Sequence, residues 1–311
     1  MTSEALTTEL FPIFVSHGRS RTRYKVGYID REGRVAIDPI FSDGTRFSES
    51  LASVKLGNHW GVIDTTGRFA IEPKLPDFCY FHEGLAHLSI KTRGRWRCGV
   101  IDRKGSFVVP PEYDAVGNFH GGLALFRIGE LEKARFGFLD KTGAEVIPAA
   151  FHRARRFSEG LAAARIGNLW GYVMPSGVFK IKPRFEGTRQ GVRRTEETDA
   201  GCFSAGLAPV WSGEGYTFID KAGEFVIGGA FDEARSFHDD RALVKQAKLF
   251  GFIDTTGRMA IHPQFAFSRD FSEGLAVVRK DSLCGFIDTE GKIVIRPRFN
   301  SAMSFRGGYV S

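Results

Sequence analysis

Residues 251–265 read GFIDTTGRMAIHPQF, and five residues later the chain continues at 271–278 with FSEGLAVV. The same pattern recurs along nearly the whole sequence. Its first position is occupied in eight copies by Gly27, Gly61, Gly99, Gly137, Gly171, Thr217, Gly251 and Gly285. These positions are 34 residues apart, except for three longer intervals of 38, 38 and 46 residues. A fixed period of this length indicates one small structural unit repeated in tandem.

Each unit has the pattern of a β-meander. In the last copy, the runs 275–278, 285–288 and 292–295 are short and rich in β-branched residues, which is typical of strands. Asp288 and Gly291 separate the last two runs, and an acceptor side chain followed by Gly is typical of a tight turn. A proline follows the third run in most copies. Because proline cannot donate to a strand ladder, we expect it to end the strand.

A fourth segment completes the unit and reads Phe-x-x-Ala-x-x-Phe in its clearest copies, 151–157 and 231–237. After three antiparallel strands, the chain lies at the end of the sheet opposite to the end at which it entered. If successive units lie parallel, this segment must cross back, as a fourth strand or an extended strap anchored by its two phenylalanines. Gly, Pro and β-branched residues recur too often for a helix of eight or more residues.

The repeat can be compared with a known family. The pattern aromatic-Gly-x-Ile-Asp-x-x-Gly, then apolar-x-Pro-x-Phe, then Phe-x-x-Gly-Leu-Ala resembles the WG repeat family of bacterial proteins. The Trp-Gly pair of the family name is present at 60–61 and 170–171, and the resemblance extends from Val26 to Ser311. Local departures include Thr217 in a glycine position and Met174 in place of a turn aspartate. The resemblance implies a β-rich repeat array with interaction roles and no shared catalytic residues.

The sequence predicts an all-β chain with a tail at residues 1–9 and one repeat domain at residues 10–311. Meander units either close into a propeller-like ring or stack as an open superhelix. Both ends carry a similar strand, at 10–16 and 308–311, and closure removes exposed sheet edges, which favours the ring. Against the ring, a unit of 34 residues is short beside the roughly 40 to 45 residues of a typical propeller blade.

Composition excludes several classes of protein. The chain is 42% hydrophobic and 25% charged, as expected for a globular protein with a sizeable core. The four cysteines form no CxxC pair, and Cys98 and Cys284 occupy an aromatic position before the recurring glycine, which predicts buried apolar roles. No signal peptide or long apolar run is present, so we expect a cytoplasmic protein and no membrane association, with export by another route left open.

The candidate chemistry is sparse. One Asp per unit beside a turn glycine is typical of a turn and unlike a calcium loop. His82 and His87 are the nearest approach to a metal-ligand pair, and the other histidines share no ligand spacing. There is no Gly-x-Ser-x-Gly elbow and no phosphate-binding loop. We therefore expect no enzyme, no metal and no cofactor, and we expect Trp60, Trp170 and Trp211 to be core residues.

The interruptions of the period carry the functional signal. From Leu85 to Gly99 and from Leu123 to Gly137 the spacing is 14 residues, against 10 in ordinary copies. The same hairpin is thus lengthened by four residues in two adjacent units, and we expect the two to lie side by side. A third interruption adds twelve residues before Cys202. Insertions extend the surface of a repeat scaffold, and Trp with Arg is typical of interface anchors, although idle solvent loops are the alternative. The candidate partner-binding residues are Arg93, Arg95, Trp96, Arg97, Lys133, Arg135, Arg193 and Arg194.

The function predicted from the sequence is a non-catalytic scaffold that binds another protein through loops on one face. A lectin-like module with repeated carbohydrate or small-ligand sites is the alternative. Nucleic-acid binding is the weaker one, because the net charge of +7 comes from basic residues spread through every copy beside acidic ones. The sequence names neither the partner nor the oligomeric state.

Overall fold

The computed structural model describes residues 9–16, 24–130, 133–187 and 200–304. The regular elements over these residues are β-strands, arranged in eight antiparallel sheets of three or four strands. The chain divides into two compact units, residues 1–150 and residues 151–311, with four sheets in each. The all-β class and the eight tandem repeats are confirmed. A single domain over residues 10–311 and closure into a ring stay predictions.

Each sheet contains consecutive strands in chain order. The first four sheets, separated here by semicolons, comprise β1 (Phe11–Ser16), β2 (Tyr24–Ile29) and β3 (Val35–Phe41); β4 (Asp43–Gly44), β5 (Leu51–Leu56), β6 (His59–Asp64) and β7 (Phe69–Leu75); β8 (Ala86–Thr92), β9 (Arg95–Ile101) and β10 (Phe107–Tyr113); β11 (Ala115–His120), β12 (Leu123–Ile128), β13 (Arg135–Asp140) and β14 (Glu145–Phe151).

The last four sheets follow the same scheme. They comprise β15 (Arg153–Ala154), β16 (Ala162–Ile166), β17 (Leu169–Val173) and β18 (Phe179–Glu186); β19 (Ala208–Trp211), β20 (Tyr216–Ile219) and β21 (Phe225–Phe231); β22 (Glu233–His238), β23 (Arg241–Gln246), β24 (Leu249–Ile253) and β25 (Met259–Phe265); β26 (Phe267–Ser268), β27 (Ala276–Lys280), β28 (Leu283–Ile287) and β29 (Ile293–Phe299).

The recurring aspartate builds the turn between the second and third strands of a repeat, as predicted. Oδ1 of Asp64 accepts hydrogen bonds from the backbone nitrogens of Thr66 at 2.8 Å and Arg68 at 3.1 Å. Gly67 lies in the same turn with a φ of +82°, which glycine adopts without strain. The hydrogen bond from the Thr66 hydroxyl is the main cause that lowers the pKa of Asp64. The carboxylate is therefore engaged by its own turn.

The segment after the third strand returns as a fourth strand, also as predicted. In β11 and β22 it is six residues long, and each pairs with the first strand of the following repeat, β12 and β23 respectively. In β4, β15 and β26 it is shortened to two residues. Its flanking phenylalanines are buried, including Phe151, Phe157, Phe231 and Phe237. In five of the eight sheets, this strand thus links the preceding repeat to the next sheet.

The prolines do not end the third strand, so that expectation was wrong. Strand β7 continues through Pro73 to Leu75, and the register shifts between the pairs Val62↔Ile71 and Trp60↔Leu75. The proline lies in this bulge on the outer strand of the sheet, where a missing N–H disturbs no ladder hydrogen bond. The outer strands of six other repeats likewise contain Pro39, Pro110, Pro148, Pro183, Pro263 and Pro297.

The bulge explains the recurring glycine of the second strand. A Cβ on Gly171 would lie 2.5 Å from the carbonyl oxygen of Ile181 and 2.7 Å from the nitrogen of Pro183. In the sixth repeat both positions change together: Thr217 replaces the glycine, and Gly229, with a φ of +129°, replaces the proline. The glycine is therefore a steric requirement of the proline-containing bulge opposite it.

Buried side chains fill the space between successive sheets. Trp60 and Trp170 are 7% and 2% exposed, which confirms their predicted core role, while Trp211 packs half-buried against the core of its own repeat. Cys98 and Cys284 are buried thiols, as expected from their aromatic-equivalent position. Within each compact unit, the repeats thus supply a few large anchors to the apolar clusters between neighbouring sheets.

Carboxylates also connect consecutive sheets, which the sequence analysis missed. Glu83 accepts hydrogen bonds from the backbone nitrogens of Gly121 at 2.7 Å and Gly122 at 2.9 Å, and it forms an ion pair with Lys141 at 3.0 Å. The same position in other repeats reaches the glycine N–H of the next repeat from Glu49, Glu159 and Asp239. These contacts connect neighbouring repeats within each compact unit.

Candidate functional site

The first insertion lengthens the strands of a hairpin. The register of β8 and β9 is continuous from Ala86↔Ile101 to Thr92↔Arg95. Arg93 and Gly94 form the two-residue turn with φ values of 51° and 81°, which matches the twist of a hairpin. The ordinary hairpin of the preceding sheet, β5–β6, ends two pairs earlier. The added residues extend this hairpin by about 7 Å, since each residue of a strand rises about 3.4 Å.

Trp96 lies in the extended part of this hairpin and is 60% exposed. It pairs across the strands with Lys91. Alternation along β9 places it on the same face as Cys98 and Val100, which are buried in one cluster with Val116 of the next sheet. Trp96 is therefore on the side of the hairpin that faces β12 and β13.

The second insertion has a different form, although its length is the same. Strands β12 and β13 keep their ordinary length and end at the pair Ile128↔Arg135, so the added residues lie between the two strands, where the structure describes 129, 130, 133 and 134. The expectation of one hairpin lengthened alike in both repeats is corrected here, because only the first insertion continues the ladder. Nη1 of Arg135 donates to the carbonyl oxygen of Ala134 at 2.9 Å, and Ile128 is 40% exposed.

Asp114 joins the two insertions. Its Oδ1 accepts from Nη1 of Arg97 at 2.6 Å, and its Oδ2 accepts from the backbone nitrogen of Gly129 at 2.8 Å. The Arg97 and Asp114 side chains are only 27% and 19% exposed, so this ion pair is partly shielded from water. The lengthened hairpin and the loop therefore lie side by side. Sequence reasoning missed Asp114; in the fifth repeat His152, directly after the outer strand, similarly accepts from Gly167.

The remaining candidate residues differ in their surroundings. Lys91, Arg93, Arg95 and Lys133 are exposed, and no ion pair to their side-chain charges is found among the residues that the structure describes. Residues 86–101 contain four basic side chains and no carboxylate. Arg97 is committed to Asp114. The candidates Arg193 and Arg194 lie outside the described residues.

Titratable groups beneath the hairpin are engaged internally. Nδ1 of His87 lies 3.2 Å from Oδ1 of Asn118, and burial lowers the pKa of His87 against the opposing effect of that hydrogen bond. The Tyr113 hydroxyl donates to Glu145 at 3.1 Å; burial first, and then Glu145, raise the pKa of Tyr113 to about 12. The positive charge of the surface thus comes from Lys and Arg, which stay charged around neutral pH.

His82 and His87, the two histidines nearest to a metal-ligand spacing in the sequence, have different neighbours in the structure. The ring of His82 contacts that of His120, with centroids 4.9 Å apart, rather than pairing with His87. Over the described ranges, no group of three or more His, Cys, Asp or Glu side chains is placed to hold a metal ion.

The sequence profile described as "WG containing repeat" matches residues 27–59, 60–87, 99–131, 136–170, 216–249, 250–284 and 285–311. The chain belongs to the WG repeat family. Three gaps in this WG repeat array coincide with the three insertions, and the shortest, residues 132–135, lies at the second insertion. Residues 171–215 cover the departures of the fifth copy and the third insertion, and residues 88–98 cover the tip of the lengthened hairpin with Trp96. Trp96 is thus an addition to the repeat pattern.

Solved structures resemble this WG repeat chain only distantly. Dipeptidyl peptidase 4 of Porphyromonas gingivalis has a TM-score of 0.47 at 10% identity, covering 93% of this chain and 58% of its own. KlHsv2 with loop 6CD replaced by a Gly-Ser linker has a TM-score of 0.43 at 10% identity, covering 75% and 86%. TolB of Acinetobacter baumannii has a TM-score of 0.36 at 12% identity, covering 80% and 77%. A search of curated proteins found no match. Over the described residues, the structure has no helix that is long and apolar enough to cross a membrane.

Proposed function

We propose that this WG repeat chain is a non-catalytic binding module that contacts another protein through the Trp96 surface. The Trp96 surface comprises the tip of the β8–β9 hairpin, with Lys91, Arg93, Arg95 and Trp96, and the adjacent residues Gly129, Glu130, Lys133 and Ala134. One observation carries the proposal: an indole that is 60% exposed lies on a hairpin extension outside the matched repeat pattern. By contrast, Trp60, which belongs to the Trp-Gly pair of the repeat, is buried.

The exposed indole offers binding free energy. A large aromatic side chain buries about 150–250 Å² when fully covered, so covering the exposed part of Trp96 removes on the order of 100–150 Å² from water. At about 25 cal/mol per Å², this contributes roughly 3 kcal/mol before the costs of association. The two-residue turn and continuous ladder fix the backbone of Trp96, so the ordering cost of binding is limited to side chains. Trp beside Arg is the composition of an interface anchor.

The non-catalytic character is supported by what the recurring polar residues contact. Asp64 is engaged by its turn, Glu83 by the next sheet, and the hydroxyl of Ser48 donates to the carbonyl oxygen of Phe81 at 2.7 Å. These repeated side chains hold the scaffold together. The chain-specific features are the insertions, and in them basic and aromatic groups serve recognition better than acid–base or nucleophilic chemistry.

The test is affinity capture from extract of the protein's own cells, with identification by mass spectrometry. The baits are the wild type, Trp96→Ala and the control Phe225→Ala, whose aromatic ring is similarly exposed at 55% in the second unit. We expect proteins that are recovered with the wild type and the control and lost with Trp96→Ala, while all three baits unfold at the same temperature. Equal recovery with Trp96→Ala contradicts the proposal. Recovery of carbohydrate or nucleic acid in place of protein favours the corresponding alternative function.

A further inference from the structure

Some basic residues of the first unit form ion pairs with carboxylates that connect its sheets. Arg103 pairs with Glu49 at 2.9 Å, and Lys141 pairs with Glu83 at 3.0 Å. By contrast, the side-chain charges of Lys91, Arg93 and Arg95 have no ion-pair partner among the described residues, and residues 86–101 supply no carboxylate of their own. Three adjacent positive charges thus repel one another on a single hairpin tip.

The hairpin tip that carries these charges also carries an exposed apolar side chain. Trp96 and Lys91 lie on the face of their sheet that turns toward β12–β13, as the burial of Cys98 in the shared core shows. On the neighbouring sheet, Ile128 and Arg135 form the last pair of β12 and β13, on the same face as Phe126, which belongs to that core. The two faces oppose each other above the buried cluster. Trp96 and Ile128, which are 60% and 40% exposed, lie on these faces beyond the buried cluster.

We propose that the Trp96 surface binds an acidic segment of a partner protein, whose carboxylates pair with Lys91, Arg93 and Arg95 while an apolar side chain packs on Trp96. This inference rests on the proposed function and names the chemistry of its partner. Guanidinium groups bind carboxylates through two parallel hydrogen bonds, and a partner carboxylate removes the mutual repulsion of the three cations.

A protein segment fits this surface better than nucleic acid. Nucleic-acid binding needs a line of cations that follows successive phosphates, together with several aromatic side chains for stacked bases. Here the cations of the Trp96 surface, Lys91, Arg93 and Arg95, belong to one short hairpin tip that carries a single indole. A short acidic segment with one apolar anchor matches both the number and the confinement of these groups.

The test uses a phage-displayed library of random twelve-residue peptides, selected on the full chain and counter-selected on the Trp96→Ala variant. We expect the enriched peptides to carry several Asp or Glu residues around an aromatic or aliphatic residue. Enriched peptides that are neutral or basic overturn the acidic partner but leave the proposed function standing. A lack of any enrichment that depends on Trp96 counts against both.

Selected peptides are then measured by fluorescence anisotropy. We expect the double variant Arg93→Glu, Arg95→Glu to bind an enriched peptide at least tenfold more weakly than the wild type, as rim charges steer association. The control Lys180→Glu, Lys182→Glu makes the same charge change at exposed positions of β18 and is expected to bind like the wild type. Equal weakening in both variants means that net charge explains the effect, and it overturns the proposal of a specific site. Tighter binding of a twelve-nucleotide oligothymidylate through the same residues overturns the inference in favour of nucleic acid.

Discussion

Replacing Glu83 by Gln tests the contact that joins consecutive sheets. The change keeps the size of the side chain but removes its charge. In the wild type, the carboxylate accepts from the backbone nitrogens of Gly121 and Gly122 at 2.7 Å and 2.9 Å, and it lies 3.0 Å from Lys141 Nζ. The amide can accept from only one of these N–H groups with its oxygen, and its NH₂ group then faces the other.

The hydrogen bonds dominate the expected loss of stability. Hydrogen bonds to a charged group contribute about 1.5–3 kcal/mol each, against about 0.5–1.5 kcal/mol for neutral ones. The Lys141 side chain is 45% exposed, so water screens the ion pair, and such pairs contribute only about 0.2–1 kcal/mol. We expect Glu83→Gln to lower the free energy of unfolding of the first unit by about 2–3 kcal/mol near pH 7, and Lys141→Met to lower it by about 0.2–1 kcal/mol.

The pH dependence independently predicts the direction in which Glu83→Gln changes the free energy of unfolding. Burial alone would raise the pKa of Glu83, but its contacts with Lys141, Gly122 and Gly121 outweigh burial and lower the pKa below its ordinary value. A carboxyl group whose pKa is lowered by folding contributes stability above its unfolded pKa and loses it as the pH falls through the folded pKa. The difference between wild type and Glu83→Gln is therefore full near pH 7 and shrinks as the pH falls below the ordinary pKa of Glu, about 4.3.

Urea unfolding, followed by tryptophan fluorescence, measures these differences, and hydrogen exchange of the 119–123 segment locates them. Faster exchange of that segment in Glu83→Gln is expected, because the carboxylate holds the two glycine N–H groups. The reasoning is refuted if Glu83→Gln unfolds within about 0.5 kcal/mol of the wild type, or if Lys141→Met is as destabilising as Glu83→Gln.

Three further substitutions test separate parts of the account. Asp114→Asn, which breaks the link between the two insertions, is expected to destabilise the first unit by about 1–3 kcal/mol in urea unfolding and to speed hydrogen exchange of loop 129–134; unchanged exchange argues against the link. Gly171→Ala is expected to lower the melting temperature more than Gly228→Ala, because a Cβ at Gly171 meets backbone at 2.5 Å whereas one at Gly228 meets nothing within 4 Å; equal effects would remove the steric explanation. Thr66→Val is expected to raise the pKa of Asp64 in an NMR titration, since the lost hydroxyl donates at 2.7 Å; a constant pKa contradicts that cause.

The repeats and turns could be predicted from the period because the residues that form each turn lie within one copy. Asp64 and Gly67 define a turn within four residues, and that turn recurs as written. Proline was misread because the bulge that accommodates Pro73 depends on Gly61, twelve residues earlier on the partner strand. The change of Thr217 and Gly229 together in one copy was the available signal, and it becomes interpretable only once the strand register is known.

Contacts between copies were harder to predict. Glu83 meets groups on the next sheet 38 and 39 residues away, so no pattern within one repeat reveals its partners. A partial signal exists: Arg103, Lys141 and Lys221 follow the turn aspartates of the repeats that Glu49, Glu83 and Glu159 contact, although Thr289 stands at this position in the repeat that Asp239 contacts. Pairing across copies of the repeat would have indicated the contact.

The candidate surface could be located from the insertions but not described from them. Two insertions of equal length gave a longer strand ladder in one repeat and a loop in the next. The Arg93-Gly94 dipeptide suits a two-residue hairpin turn, whereas the second insertion has Gly129 at its start and no such dipeptide at its centre. The exposure of Trp96 follows from its place two residues before the buried Cys98, beyond the last core position of the strand.

Isothermal titration calorimetry between the full chain and a captured partner protein tests the central claim, that the Trp96 surface is the binding site, most directly. A central tryptophan anchor typically contributes 2 kcal/mol or more, so the account predicts that Trp96→Ala raises Kd about 30-fold or more while Phe225→Ala leaves Kd unchanged. An unchanged Kd for Trp96→Ala, or an equal loss for both variants, would contradict the claim.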